Sequence, residues 1–135
     1  MDSELYILGI AATAVVASCI AVVTSGGWGV IVFLPACVMV GAIHMVVHLR
    51  VVGRCVVTRR LAKLVWASAA MFLLAFLLQA DEGDGPRWLI ATALIPPWGG
   101  GGTPLPAWCP SWVTWIAVAP LIVSWVVLLN EARRA

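Results

Sequence analysis

The chain has 135 residues, of which 63% are hydrophobic and 10% charged, with a formal net charge of +2. Soluble domains carry about 25% charged residues, so an ordinary water-soluble globule is excluded and a single domain dissolved in lipid is indicated. So small a net charge gives no support for nucleic-acid binding.

Four long apolar stretches follow one another, each close to the roughly 20 residues that a helix needs to cross a hydrocarbon core. The strict alternation of a membrane barrel is missing. The predicted fold class is therefore all-α: an integral membrane protein of four transmembrane helices forming one domain. An outer interfacial segment rich in Trp, Gly and Pro completes it.

The first span is predicted at residues 5–24, "LYILGIAATAVVASCIAVVT". Its "VASC" resembles the site that precedes a lipid-modified cysteine, but Asp2 and Glu4 stand where a secretion signal needs positive charge. An uncleaved first helix is expected. Gly9, Thr13, Ala17 and Ala21 recur every four residues as a smooth stripe that permits close backbone packing in lipid. The second helix is the expected neighbour of that stripe, and an oligomer contact is the alternative.

"SGG", residues 25–27, leaves room only for a tight turn into the second span, residues 28–49. This span holds Pro35 and the only two histidines, His44 and His48. The third span is predicted at residues 61–79. Arg50, Arg54, Arg59, Arg60 and Lys63 lie before or at its start with no acid among them, and Arg133 and Arg134 close the chain. The positive-inside rule places both basic regions, and with them the N and C termini, in the cytoplasm; a bacterial inner membrane is the expected location.

Residues 80–111, "ADEGDGPRWLIATALIPPWGGGGTPLPAWCPS", form the outer segment. Its apolar part, residues 88–98, is too short to span and reads as an interfacial or partly re-entrant helix. Trp28, Trp88, Trp98, Trp108 and Trp112 fall on this side, where an aromatic belt is expected. A platform for stacking a ligand is the alternative. The fourth span, residues 112–130, contains Pro120. Pro35 and Pro120 each remove a helical hydrogen bond and are expected to kink their helices.

On one continuous helix Cys37, His44, His48 and Cys55 would share a narrow stripe, but its ends would lie about 27 Å apart. His44 and His48, one turn apart, are the only pair that a single metal could share. They still lack further converging ligands, and one helix face cannot supply both axial ligands of a haem. No metal and no cofactor is therefore expected. His44 should instead hydrogen-bond to a neighbouring helix, with Ser68 a candidate, and His48 should reach the cytoplasmic interface beside Arg50. The four cysteines are scattered, without a C-x-x-C. No nucleophile–base pair, phosphate loop or paired carboxylate is present, so an enzyme is not expected.

Residues 47–66, "VHLRVVGRCVVTRRLAKLVW", resemble the small fourth subunit of bacterial haem–copper oxidases, in which an apolar helix ends in a similar sequence before a short basic turn. That family usually has three spans, one fewer than read here. The resemblance implies a non-catalytic accessory role in a larger, respiratory-type membrane complex, with no haem held by this subunit. Residues 58–63, "TRRLAK", are similar to the inner turn of the four-span exclusion proteins of temperate phages. That similarity implies the alternative, a self-assembling ion-conducting pore of exclusion or holin type. Its lumen would be lined by Thr13, Ser18, His44, Ser68 and Ser124, with His44 as a protonation gate. The expected partners are membrane lipid and either other membrane subunits or the chain itself.

Overall fold

The computed structural model describes residues 3–25, 28–53, 57–81, 88–90 and 115–134. Four helices make up almost all of it: α1 (Ser3–Ser25), α2 (Trp28–Val52), α3 (Arg59–Leu77) and α4 (Val118–Arg134). Stretches of the first three, Glu4–Thr24, Val30–Val52 and Arg59–Leu77, are long and apolar enough to cross a membrane. Two short strands, β1 (Ala80–Asp81) and β2 (Trp88–Leu89), pair antiparallel with Ala80 opposite Leu89.

Each helix turns one stripe inward at the three- and four-residue spacing of a packed helix face. On α1 the stripe is Ile7, Ile10, Ala11, Ala14, Ser18, Ala21 and Val22; on α2 it runs through Cys37, His44, Val47, His48 and Val51. Leu61, Val65, Ser68, Phe72 and Phe76 supply it on α3, and Leu121, Leu128 and Ala132 on α4. The opposite faces carry exposed Val16, Ile20, Ile31, Val38, Met39, Ile43, Ile122 and Val126. Apolar residues on both faces suit a bundle whose solvent is itself apolar.

α1 packs beside α2 and α3, and α4 closes the ring by packing beside α3 and α2. Cys19 meets Cys37 and Val15 approaches Gly41, so α1 and α2 run antiparallel. Ser68 lies beside Ser124 and Arg60 beside Glu131, giving the same sense for α3 and α4. α2 and α3, consecutive in the chain, sit diagonally and meet chiefly around Phe72. That ring stacks on His44 at 4.7 Å and on Phe76 at 5.1 Å, and the Phe72 Cζ lies 3.7 Å from where a Cβ on Gly41 would sit. A Cβ on Gly41 would also fall 2.8 Å from Val15 Cγ1. Valine is stiff at χ1 in a helix, so only glycine lets α1 and α2 approach this closely.

The ends follow local chemistry. Thr58 caps α3, its hydroxyl accepting from Leu61 N at 3.2 Å, a standard way of satisfying a first-turn donor. Arg59 and Arg60 then stand at the positive end of the helix dipole, the wrong sign for local stability. Arg60 is offset by Glu131 on α4 at 3.1 Å. At the other end Ile90 donates to the Gln79 carbonyl at 2.9 Å and buries itself against Ala21 and Val22. A strand clip thus folds the chain back over the end of α1.

Several expectations change. Gly9, Thr13 and Ala17 face away from the bundle, and only Ala21 of that stripe is buried. Their neighbours Ile7, Ile10, Ala11 and Ala14 take the inward positions, where the two isoleucines fill the space between helices. Thr13 satisfies its hydroxyl on the Gly9 carbonyl at 2.7 Å, which removes the cost of facing outward. Pro120 is the third residue of α4, in the first turn, where a missing N–H breaks no helical bond. No kink arises there. Pro35 does lie inside α2, on its exposed face. Residues 88 and 89, expected to begin an interfacial helix, form β2 instead; the remainder of that expected helix and the glycine run at 99–102 lie outside the described residues.

Candidate functional site

Three of the buried polar side chains, His44, His48 and Ser68, are gathered near one level of the bundle. His44 and His48 are both fully buried, one turn apart on α2, with ring centroids 4.3 Å apart. Phe72 of α3 covers His44 from one side. Trp125 of α4 approaches from another, its ring centroid 5.9 Å from that of His44. Ser68 is also fully buried, 3.4 Å from the Ser124 hydroxyl, which bonds the Leu121 carbonyl at 2.7 Å. The site is the meeting point of α2, α3 and α4.

Hydrogen bonding fixes the two imidazole tautomers. Trp125 Nε1 donates to His44 Nδ1 at 2.9 Å. An indole N–H can only donate, so His44 Nδ1 accepts and the proton of the neutral ring is on Nε2. His48 Nδ1 sits 2.8 Å from the His44 carbonyl oxygen. A carbonyl can only accept, so the His48 proton is on Nδ1 and its Nε2 bears a lone pair. Both Nε2 atoms are buried without a partner among the described residues. The pair therefore presents one unused donor, on His44, and one unused acceptor, on His48. Buried polar atoms of this kind are normally satisfied. A single small molecule that both donates and accepts, such as water, matches the two requirements.

The same bonds limit ligation. With Nδ1 occupied by the Trp125 proton and Nε2 protonated, His44 has no lone pair for a metal. His48 retains one, on Nε2. Among the described residues no three His, Cys, Asp or Glu side chains converge to hold an ion. Cys37 is nearly two turns from His44 along α2 and faces Cys19 on α1. α2 ends at Val52, and Cys55 lies outside the described residues.

His44 does bond to a neighbouring helix, but to Trp125 rather than to Ser68. Arg50 is exposed, whereas His48 is fully buried in the bundle and turned back onto the His44 carbonyl of its own helix. The inward stripe of α2 carries it there, one turn below His44. Of the expected lumen residues, Ser18, His44 and Ser68 are buried within the single chain and Ser124 is half-buried, whereas Thr13 lies on the outside. Ser18 is buried without a partner among the described residues. Trp28 opens α2 and Trp88 lies in β2, at one end of the bundle; Trp98, Trp108 and Trp112 lie outside the described residues.

Sequence reading did not single out Trp125 or Phe72. A usable signal for Trp125 was its position in the middle of a span, away from the ends where belt tryptophans belong. An indole N–H so placed needs an acceptor on another helix.

Among the described residues the bundle also holds two hollows. A cavity of about 70 Å³ between α2, α3 and α4 is lined by Phe33, Val40, Phe76, Gln79, Trp115 and Leu121. A larger groove of about 490 Å³ opens on the outside between α1 and α3. Gly9, Thr13, Ala14, Ala69 and Ala70 line it, and at one end Trp66 Nε1 donates to the Tyr6 hydroxyl at 2.9 Å across it.

No protein-family model, characterised protein or solved structure compared with the chain matches it.

Proposed function

We propose that the chain is a non-catalytic subunit that works by assembly with other membrane helices, as an accessory part of a larger, respiratory-type membrane complex. In this reading α4 and the residues before it complete a fourth crossing, and both termini face the cytoplasm of a bacterial inner membrane. The observation that carries it is the groove between α1 and α3. Small side chains on both walls leave backbone within reach of an incoming helix, and close approach of this kind is what holds helices together where apolar burial provides no force. His44, His48 and Ser68 are meanwhile enclosed inside the chain.

A photoreactive side chain at Gly9, where a Cβ would meet open space, is expected to cross-link in native membranes to a larger membrane protein. Mild-detergent purification should bring down the same partner. Cross-linking only to a second copy of the chain would favour the pore. That alternative has less support, because His44, Ser68 and Ser18 are enclosed by one chain and could line a shared lumen only if the bundle opened.

The arrangement of the membrane crossings has its own test. Reporter fusions at Gly53 and Gly101 should report opposite compartments, with Gly53 in the cytoplasm. The same compartment for both would remove the four-span topology.

A further inference from the structure

Cys19 of α1 and Cys37 of α2 face each other, with Cys19 Sγ 3.6 Å from Cys37 Sγ. Cys37 is fully buried, whereas Cys19 is only half-buried. Cys19 stands on the border between the inward stripe, through Ser18 and Val22, and the outward one, through Val16, Ile20 and Val23. It is six residues from the end of α1, about 9 Å along the axis. One thiol of the pair is therefore open to the apolar phase around the bundle at a depth that a lipid-soluble molecule reaches. The other is held behind it by the close approach of α1 and α2 at Gly41 and Val15.

We propose that Cys19 and Cys37 form a reversible two-electron redox site that closes to an intrachain disulfide, with a membrane-soluble quinone as the oxidant. The sulfurs already touch, and bond formation requires them to close to about 2.05 Å. Each thiol gives up one hydrogen, the two sulfurs bond, and the quinone takes both hydrogens to become a quinol. Neutral reactants give neutral products, so no charge is left in an interior where an isolated charge is costly. Reduction by a dithiol returns the pair to two thiols by exchange through a mixed disulfide. The disulfide fastens α1 to α2 on the side of the bundle away from the α1/α3 groove, so the site does not depend on the function proposed above.

The full chain carrying Cys55→Ser and Cys109→Ser, in liposomes, retains only the two facing thiols. A fully methylated benzoquinone is the probe, because its ring has no free position for a thiol to add. Treatment should reduce the thiols counted after denaturation from two to none, with an intact mass lower by two hydrogens. A dithiol should restore both. The further variant Cys37→Ser should keep its single thiol under the same treatment. Two thiols that persist with quinone would overturn the proposal, as would a disulfide-linked dimer or loss of the lone Cys19 thiol.

Discussion

Phe72→Ala is expected to destabilise the bundle more than any other single truncation in the membrane core, by about 3–5 kcal/mol. Phe72 is fully buried and touches His44, Phe76 and the close approach at Gly41. It is the side chain that holds the diagonal pair α2 and α3 together. In micelles the loss does not come from exposing apolar surface to water. It comes from dispersion contacts that the lining atoms no longer make across the void. Denaturant titration in mixed micelles, followed by helicity, measures it. A cost below about 1 kcal/mol would show that the helices do not share this centre.

The second large effect concerns the bond between His44 and Trp125. His44→Ala removes the acceptor and leaves the indole N–H unpaired in an apolar setting, a cost of about 1–3 kcal/mol added to the lost ring packing. Trp125→Phe keeps an aromatic ring and removes only the donor, so its cost should be the smaller of the two. The informative quantity is the coupling, since the double variant leaves neither group without its partner. Interhelical bonds in membranes give coupling of about 0.6 kcal/mol on average and up to about 1.7. A neutral pair at 2.9 Å, with His44 fully buried and Trp125 partly so, should fall in the upper half of that range. Strictly additive single costs would mean that the two rings are merely neighbours.

Much of the fold was legible because lipid imposes so few solutions. Apolar runs of spanning length, with at most one charge each, located α1, α2 and α3 to within a few residues, and "SGG" announced the antiparallel hairpin. The inward faces were harder to read. A helix with apolar residues on every side has no amphipathic contrast, so the small stripe through Gly9 and Thr13 looked like a packing face although Ile7, Ile10 and Ala14 occupy it. Pro120 misled for another reason: its effect depends on where the helix starts, and the start at Val118 was set by a turn in which Ala119 N donates to the Ile116 carbonyl. The histidines were visible from the outset as costly groups needing partners. Their partner was not, because spacing along α2 says nothing about which helix lies opposite, and the ring order places α4 there.

That ring order bears on how the chain is made. α4 follows the other three described helices in chain order, and it supplies both Trp125 for His44 and Glu131 for Arg60. Until it arrives, α1 and α2 can form their hairpin and α3 can settle against α1. The imidazole of His44 is left meanwhile with an unanswered acceptor on the side that α4 will cover. A chain that stops short of α4 thus displays an unpaired polar group that the four-helix bundle hides.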